Sequence, residues 1–92
     1  MNNILDKLNA QIKFVKKYKV ETDALLSITT YRHGSSFTFY VGEGNSNKIM
    51  SKLIEEGYEF NKCKYEDSGW LEYRIEFRVD GIDVDFIKKR NN

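Results

Sequence analysis

Three carboxylates near the end of the chain, Glu76, Asp83 and Asp85, have a spacing that chemistry can use. If Asp80-Gly81 forms a two-residue hairpin turn, Glu76 lies across from Asp85 and Arg78 across from Asp83. Asp83 and Asp85, two apart on one strand, then point the same way. Paired strand carboxylates hold Mg²⁺ in many phosphoryl-transfer sites, because a hard cation takes several carboxylate oxygens on a rigid support. Arg74 and Arg78 flank Glu76, however, and offer cross-strand ion pairs that compete with a metal. A solvated zwitterionic face accounts for the pattern, so neither a metal nor any other cofactor is expected.

The remaining reactive residue types are sparse. His33 is the single histidine and Cys63 the single cysteine. A nucleophile needs its base within hydrogen-bond reach, and nothing in the spacing brings these two together. His33 is simplest as a turn residue. With a four-residue loop at 66–69, Cys63 falls opposite Glu72, where a carboxylate disfavours the thiolate. Gly42-Glu43-Gly44, followed by Lys48, has the outline of a phosphate-cradling loop. It lacks the further glycine of a dinucleotide fingerprint and the GK[ST] of a P-loop, and Glu43 repels an anion. The chain is therefore expected not to be an enzyme.

Two surfaces stand out once catalysis is set aside. Residues 1–20 carry five lysines (Lys7, Lys13, Lys16, Lys17 and Lys19) against Asp6 alone, a local charge of +4 by that count, and Lys88, Lys89 and Arg90 make a basic end. Joined in space, Lys13, Lys16, Lys17, Lys88, Lys89 and Arg90 would suit a phosphate backbone, which is the alternative, nucleic-acid-binding expectation. The other surface is the stretch "TTYRHGSSFTFYVG" (29–42), whose only ionisable residues besides tyrosine are Arg32 and His33. The chain as a whole is 32% charged, so this neutrality is local. With His33-Gly34 as the turn, Leu26, Ile28, Thr30, Phe37, Phe39 and Val41 share the core side. The outer side carries Ser27 opposite Tyr40, Thr29 opposite Thr38 and Tyr31 opposite Ser36. Exposed sheet surface is usually protected by Lys or Glu. Tyrosine with serine and threonine is instead the composition that protein interfaces favour.

These surfaces need elements to position them. Leu5, Leu8, Ile12 and Val15, flanked by Ile4, recur at helical spacing, with Asn3 as the expected N-cap. Two strands follow around the 33–34 turn. Ile49, Met50, Leu53 and Ile54 mark a short helix that Asn45 or Ser46 can cap and Gly57 ends. Residues 58–65 alternate weakly as a strand. Leu71, Tyr73, Ile75, Phe77 and Val79 then alternate with charged residues up to Asp80-Gly81, and Ile82, Val84 and Phe86 return on the core side. The order αββαβββ predicts an α+β two-layer sandwich with two helices on one face of a mostly antiparallel five-stranded sheet.

Ninety-two residues make one domain, 1–92, with one core. At 40% hydrophobic residues the chain has enough apolar surface to fold, and a net charge of +1 argues against a protein that coats anionic polymers or membranes. No apolar run reaches a membrane span or a signal-peptide core, so no membrane partner is expected. One cysteine allows no internal disulfide, which fits a reducing cytoplasm. The absence of proline and the abundance of Lys and Asn resemble the composition of small phage and mobile-element proteins. The leading expectation is thus a small non-enzymatic protein-binding module, an inhibitor of a host protein with an anti-CRISPR-like role. It would act by steric occupation through Ser27, Thr29, Tyr31, Ser36, Thr38 and Tyr40, with a host protein or a second copy as partner.

Overall fold

A computed structural model describes residues 4–66 and 69–90. The elements are α1 (Ile4–Tyr18), a 3₁₀ turn (Thr22–Ala24), β1 (Leu25–Tyr31), β2 (Gly34–Tyr40), α2 (Ser46–Glu55), β3 (Phe60–Lys64), β4 (Leu71–Val79) and β5 (Ile82–Lys89). The strands form one sheet in the order β1-β2-β5-β4-β3. All pairs are antiparallel except β2 with β5. The α+β layout is therefore the expected one, with both helices on one face. The chain leaves β2, crosses the sheet as α2 and enters the far edge as β3, so the two hairpins meet along the central β2–β5 seam.

The core lies between the helices and the inward residues of the three central strands. Phe37, Phe39, Val84, Phe86 and Leu53 are fully buried, and burial of each such side chain contributes roughly 1.5–3 kcal/mol. Phe14 of α1 stacks on Phe37 at 4.6 Å between centroids, and Phe39 stacks on Phe86 at 5.0 Å across the seam. The β4–β5 hairpin turns at Asp80-Gly81, with φ of 49° and 83°, as its sequence signature requires. Gly57 ends α2 with φ 89°, and the bonds from Tyr58 N to Leu53 O and from Gly57 N to Ile54 O complete a Schellman motif.

Several expectations are corrected. The first hairpin turns at Arg32-His33, so Tyr31 lies opposite Gly34, Thr29 opposite Ser36, Ile28 opposite Phe37 and Ser27 opposite Thr38. This shift of two residues changes each partner but leaves residues 27–31 and 36–40 on their expected faces, because the side-chain period is two. A bulge between Leu25 and Ser27 then puts Leu25, in place of Leu26, opposite Phe39. Leu26 and Ile28 are exposed on the edge strand. In α1 the buried residues are Gln11, Phe14 and Tyr18, while Ile4, Leu5, Leu8 and Ile12 stay exposed and Val15 is half-buried. The helix sits over the margin of the sheet. Turning Phe14 and Tyr18 inward buries more area than turning the leucines inward, and the leucine flank overhangs an edge with no sheet beneath it. Ile54 of α2 is likewise exposed. The expected cap at Asn3 and part of the 66–69 turn lie outside the described residues.

Gln11 and Lys7 treat the exposed edge. Gln11 donates to Thr29 O at 3.0 Å and accepts from Thr30 Oγ1 at 2.7 Å, while Lys7 donates to the carbonyls of Tyr31 and Arg32. Helix α1 is thus fastened to the edge strand and its turn.

Candidate functional site: the helix-free sheet face

The registers place all six expected contact residues on the face that no helix covers. Ser27, Thr29 and Tyr31 come from β1, and Ser36, Thr38 and Tyr40 from β2. The parallel seam extends this face, since Ser36 lies beside Asp83, Thr38 beside Asp85 and Tyr40 beside Ile87. On β4, Arg78 is across from Asp83, Glu76 across from Asp85 and Arg74 across from Ile87. Asn61 and Cys63 of β3 complete the surface. The neutral hydroxyl strip and the charged strip are two halves of one face. The sequence shows both halves but not their continuity, because a parallel pairing between residues 47 apart, such as Ser35 with Ile82, has no local signal.

Where the halves meet, Tyr31, Ser36, Asn61, Glu76, Asp83 and Asp85 help to line an open groove of about 610 Å³. Tyr31 bridges it. Its ring crosses Gly34, and its hydroxyl donates to Asp83 Oδ2 at 3.1 Å. That hydrogen bond to a carboxylate is the main reason its phenol is held above the ordinary range. Arg78 Nη1 sits 2.7 Å from Asp83 Oδ1, and Arg74 Nη1 3.5 Å from Glu76 Oε2. Asp85 is the exception, half-buried between these pairs. No hydrogen bond or ion pair reaches its carboxylate among the described residues. Burial pushes its pKa up to about 6, with Glu76 and Asp83 adding to the shift and Arg74 opposing it.

The other expected chemistry is dispersed. Cys63 lies opposite Arg74 rather than Glu72, because the β3–β4 register also runs two residues from the expected one. Its thiol is 3.7 Å from Glu76 Oε1. His33 sits at the β1–β2 turn and Cys63 on the opposite edge strand, so the two form no dyad. Among the described residues no three His, Cys, Asp or Glu side chains converge to hold a metal ion. The 42–44 loop serves the fold. Gly42 and Gly44 take φ of 83° and 51°, and Glu43 pairs with Lys89 at 3.8 Å. A Cβ at Gly44 would lie 2.7 Å from Ala24 N, so only glycine fits there.

The expected basic patch does not assemble. Lys13 borders a cavity beside Val79 and Asp80 at the β4–β5 turn, whereas Lys88 and Lys89 end β5 at its other extremity, roughly 20 Å away at strand rise. Lys16 is exposed on α1. Lys17 pairs with Glu56 at 3.0 Å, Lys89 lies over the Tyr40 ring at 4.5 Å, and the Arg90 guanidinium binds the carbonyls of Tyr65 and Leu71. No helix among the described residues is long and apolar enough to cross a membrane. In comparisons with protein-family models, curated proteins and solved structures, the chain matches none.

Proposed function

We propose that this protein is a non-enzymatic protein-binding module whose contact surface is the helix-free face of its sheet. The observation that carries the reading is the gathering of Ser27, Thr29, Tyr31, Ser36, Thr38 and Tyr40 on that face, beside a half-buried carboxylate, Asp85, that makes no ion pair among the described residues. The hydroxyl half supplies contact area at small entropic cost. The Asp85 half favours a partner that presents a lysine or arginine, since a buried carboxylate gains most from a counter-charge that arrives as water leaves.

In its narrower form the reading is steric occupation of a host protein's surface by a phage or mobile-element inhibitor. Small size and composition support that form. The test is charge insertion at exposed positions: Ser27→Lys with Thr29→Lys is expected to leave the fold intact and abolish capture of the partner from host lysate. Undiminished capture by that variant would overturn the reading.

A further inference from the structure

The two edges of the sheet are built differently. Strand β3 carries Lys62 and Lys64, the kind of charge that keeps an edge from pairing. Strand β1, LLSITTY, has no Lys, Arg, Asp, Glu or Pro, and it pairs with β2 alone. Its two-residue turn makes Tyr31 and Gly34 a hydrogen-bonded pair, so Thr29 and Tyr31 direct their N–H and C=O groups to β2. By the alternation of an antiparallel ladder, those of Ile28 and Thr30 point the other way, past the edge. Among the described residues nothing bonds to that outward row.

An apolar shelf stands over the open edge. At about 100° per residue, Ile4, Leu5, Leu8 and Ile12 fall on one flank of α1, a quarter turn from the buried stripe of Gln11, Phe14 and Tyr18. Lys13 and Lys17 border a cavity with Val79 and Asp80 on the far flank, so the aliphatic flank is the one on the β1 side. Its four side chains, with Leu26 and Ile28 of β1, are each 42–61% exposed. Together they leave on the order of 500 Å² of apolar surface, as much as the largest patch on an ordinary monomer.

We infer that this edge and shelf are the interface between two copies of the chain, related by a twofold axis perpendicular to the sheet that joins the two sheets through β1. Symmetry, hydrogen bonding and helix spacing all select a second copy. A strand that pairs with itself must not set like charges face to face, and β1 carries none. With the axis at Thr29, Ile28 of each copy exchanges both of its backbone bonds with Thr30 of the other. Helix α1 lies over the β1–β2 pair, held to β1 by Gln11 and to Phe37 of β2 by Phe14. Strands spaced about 4.8 Å then put each helix axis about 5 Å from the twofold and the two about 10 Å apart, the ordinary distance for packed helices. Leu8 and Ile12 of the two copies meet there. The shelf and the strand edge together approach the roughly 800 Å² per partner of a standard interface. The pairing also makes one continuous surface of the two helix-free faces.

The test is sedimentation of the whole protein over a range of concentrations, with a two-chain mass expected at about 100 μM. Leu8→Lys with Ile28→Lys, both at exposed positions, should weaken association at least about tenfold while the circular dichroism spectrum stays that of the parent. Thr29→Cys in a Cys63→Ser background should cross-link two chains on mild oxidation, because the axis sets the two Thr29 Cα atoms about 4.5 Å apart. Thr38→Cys in the same background should not. A one-chain mass at that concentration would overturn the inference and leave the edge to a strand of another protein. Unchanged association of the Leu8/Ile28 variant, or cross-linking of Thr38→Cys as fast as of Thr29→Cys, would overturn it as well. Tyr31→Ala with Tyr40→Ala is expected to stay dimeric, so this inference and the sheet-face reading fail separately.

Discussion

The hydroxyl of Tyr31 reaches Asp83 across an intervening strand, and it does so because Gly34 has no side chain. A Cβ on Gly34 would lie 3.1–3.3 Å from the outer atoms of the Tyr31 ring. Gly34 → Ala is therefore expected to push the ring aside, break the bond to Asp83 and leave the domain folded. Asp83→Asn removes the charged acceptor directly. In both variants the Tyr31 phenol, followed by NMR titration, should ionise at lower pH than in the parent, because the carboxylate hydrogen bond is what raises it.

Asp85 makes stability depend on pH. Its folded pKa of about 6 lies above the ordinary 3.8. Between those values the folded state keeps a proton that the unfolded chain has lost, so stability falls as pH rises from about 4 through 6. Asp85→Asn is expected to flatten that slope and to stabilise the protein at pH 7, on the order of 1–2 kcal/mol after allowance for solvent screening. Denaturant midpoints from pH 4 to 7 measure both effects.

Gln11 is buried, and its amide serves two groups of the edge strand. Gln11→Ala would remove both hydrogen bonds that tie α1 to β1, at a cost of about 1–3 kcal/mol. It would also loosen α1 from the edge strand it covers, so the variant is expected to lose solubility sooner than a core variant of equal stability. Light scattering at matched denaturant midpoints separates the two.

Two left-handed positions respond in opposite directions. Gly44→Ala combines φ of 51° with a 2.7 Å approach to Ala24 N, and is expected to destabilise by about 2 kcal/mol or more. Lys19 holds φ of 52° at the end of α1, where glycine is the favoured residue. Lys19→Gly is expected to stabilise by about 0.5–1 kcal/mol. Thermal unfolding of the two variants beside the parent reads both effects.

How legible each element was in the sequence follows from how local its cause is. The β4–β5 register could be read from Asp80-Gly81, whose two residues both take the positive φ that the turn demands. In the first hairpin the glycine misleads. Gly34 begins β2 and accommodates Tyr31, while Arg32-His33 turns the chain without any turn signature and with neither residue at positive φ. Ser27, Thr29, Tyr31, Ser36, Thr38 and Tyr40 nonetheless share the face expected for them, because an error of two residues preserves the side-chain phase. In α1 a wide apolar flank offered two ways to face the sheet, and only the position of the helix over the sheet margin decides for Phe14 and Tyr18. The groove on the sheet face depends on contacts between distant segments, which composition and spacing do not encode.

The sheet-face account is tested most directly by quantitative capture of a protein partner from nuclease-treated host lysate, comparing the parent protein with Tyr31→Ala/Tyr40→Ala. Lys48→Glu/Lys52→Glu serves as a control on the other side of the molecule. The account expects one stoichiometric protein to be retained by the parent and by the lysine variant, and lost from the folded tyrosine variant. Retention of that protein by the tyrosine variant, or recovery of nucleic acid alone before nuclease treatment, would contradict it.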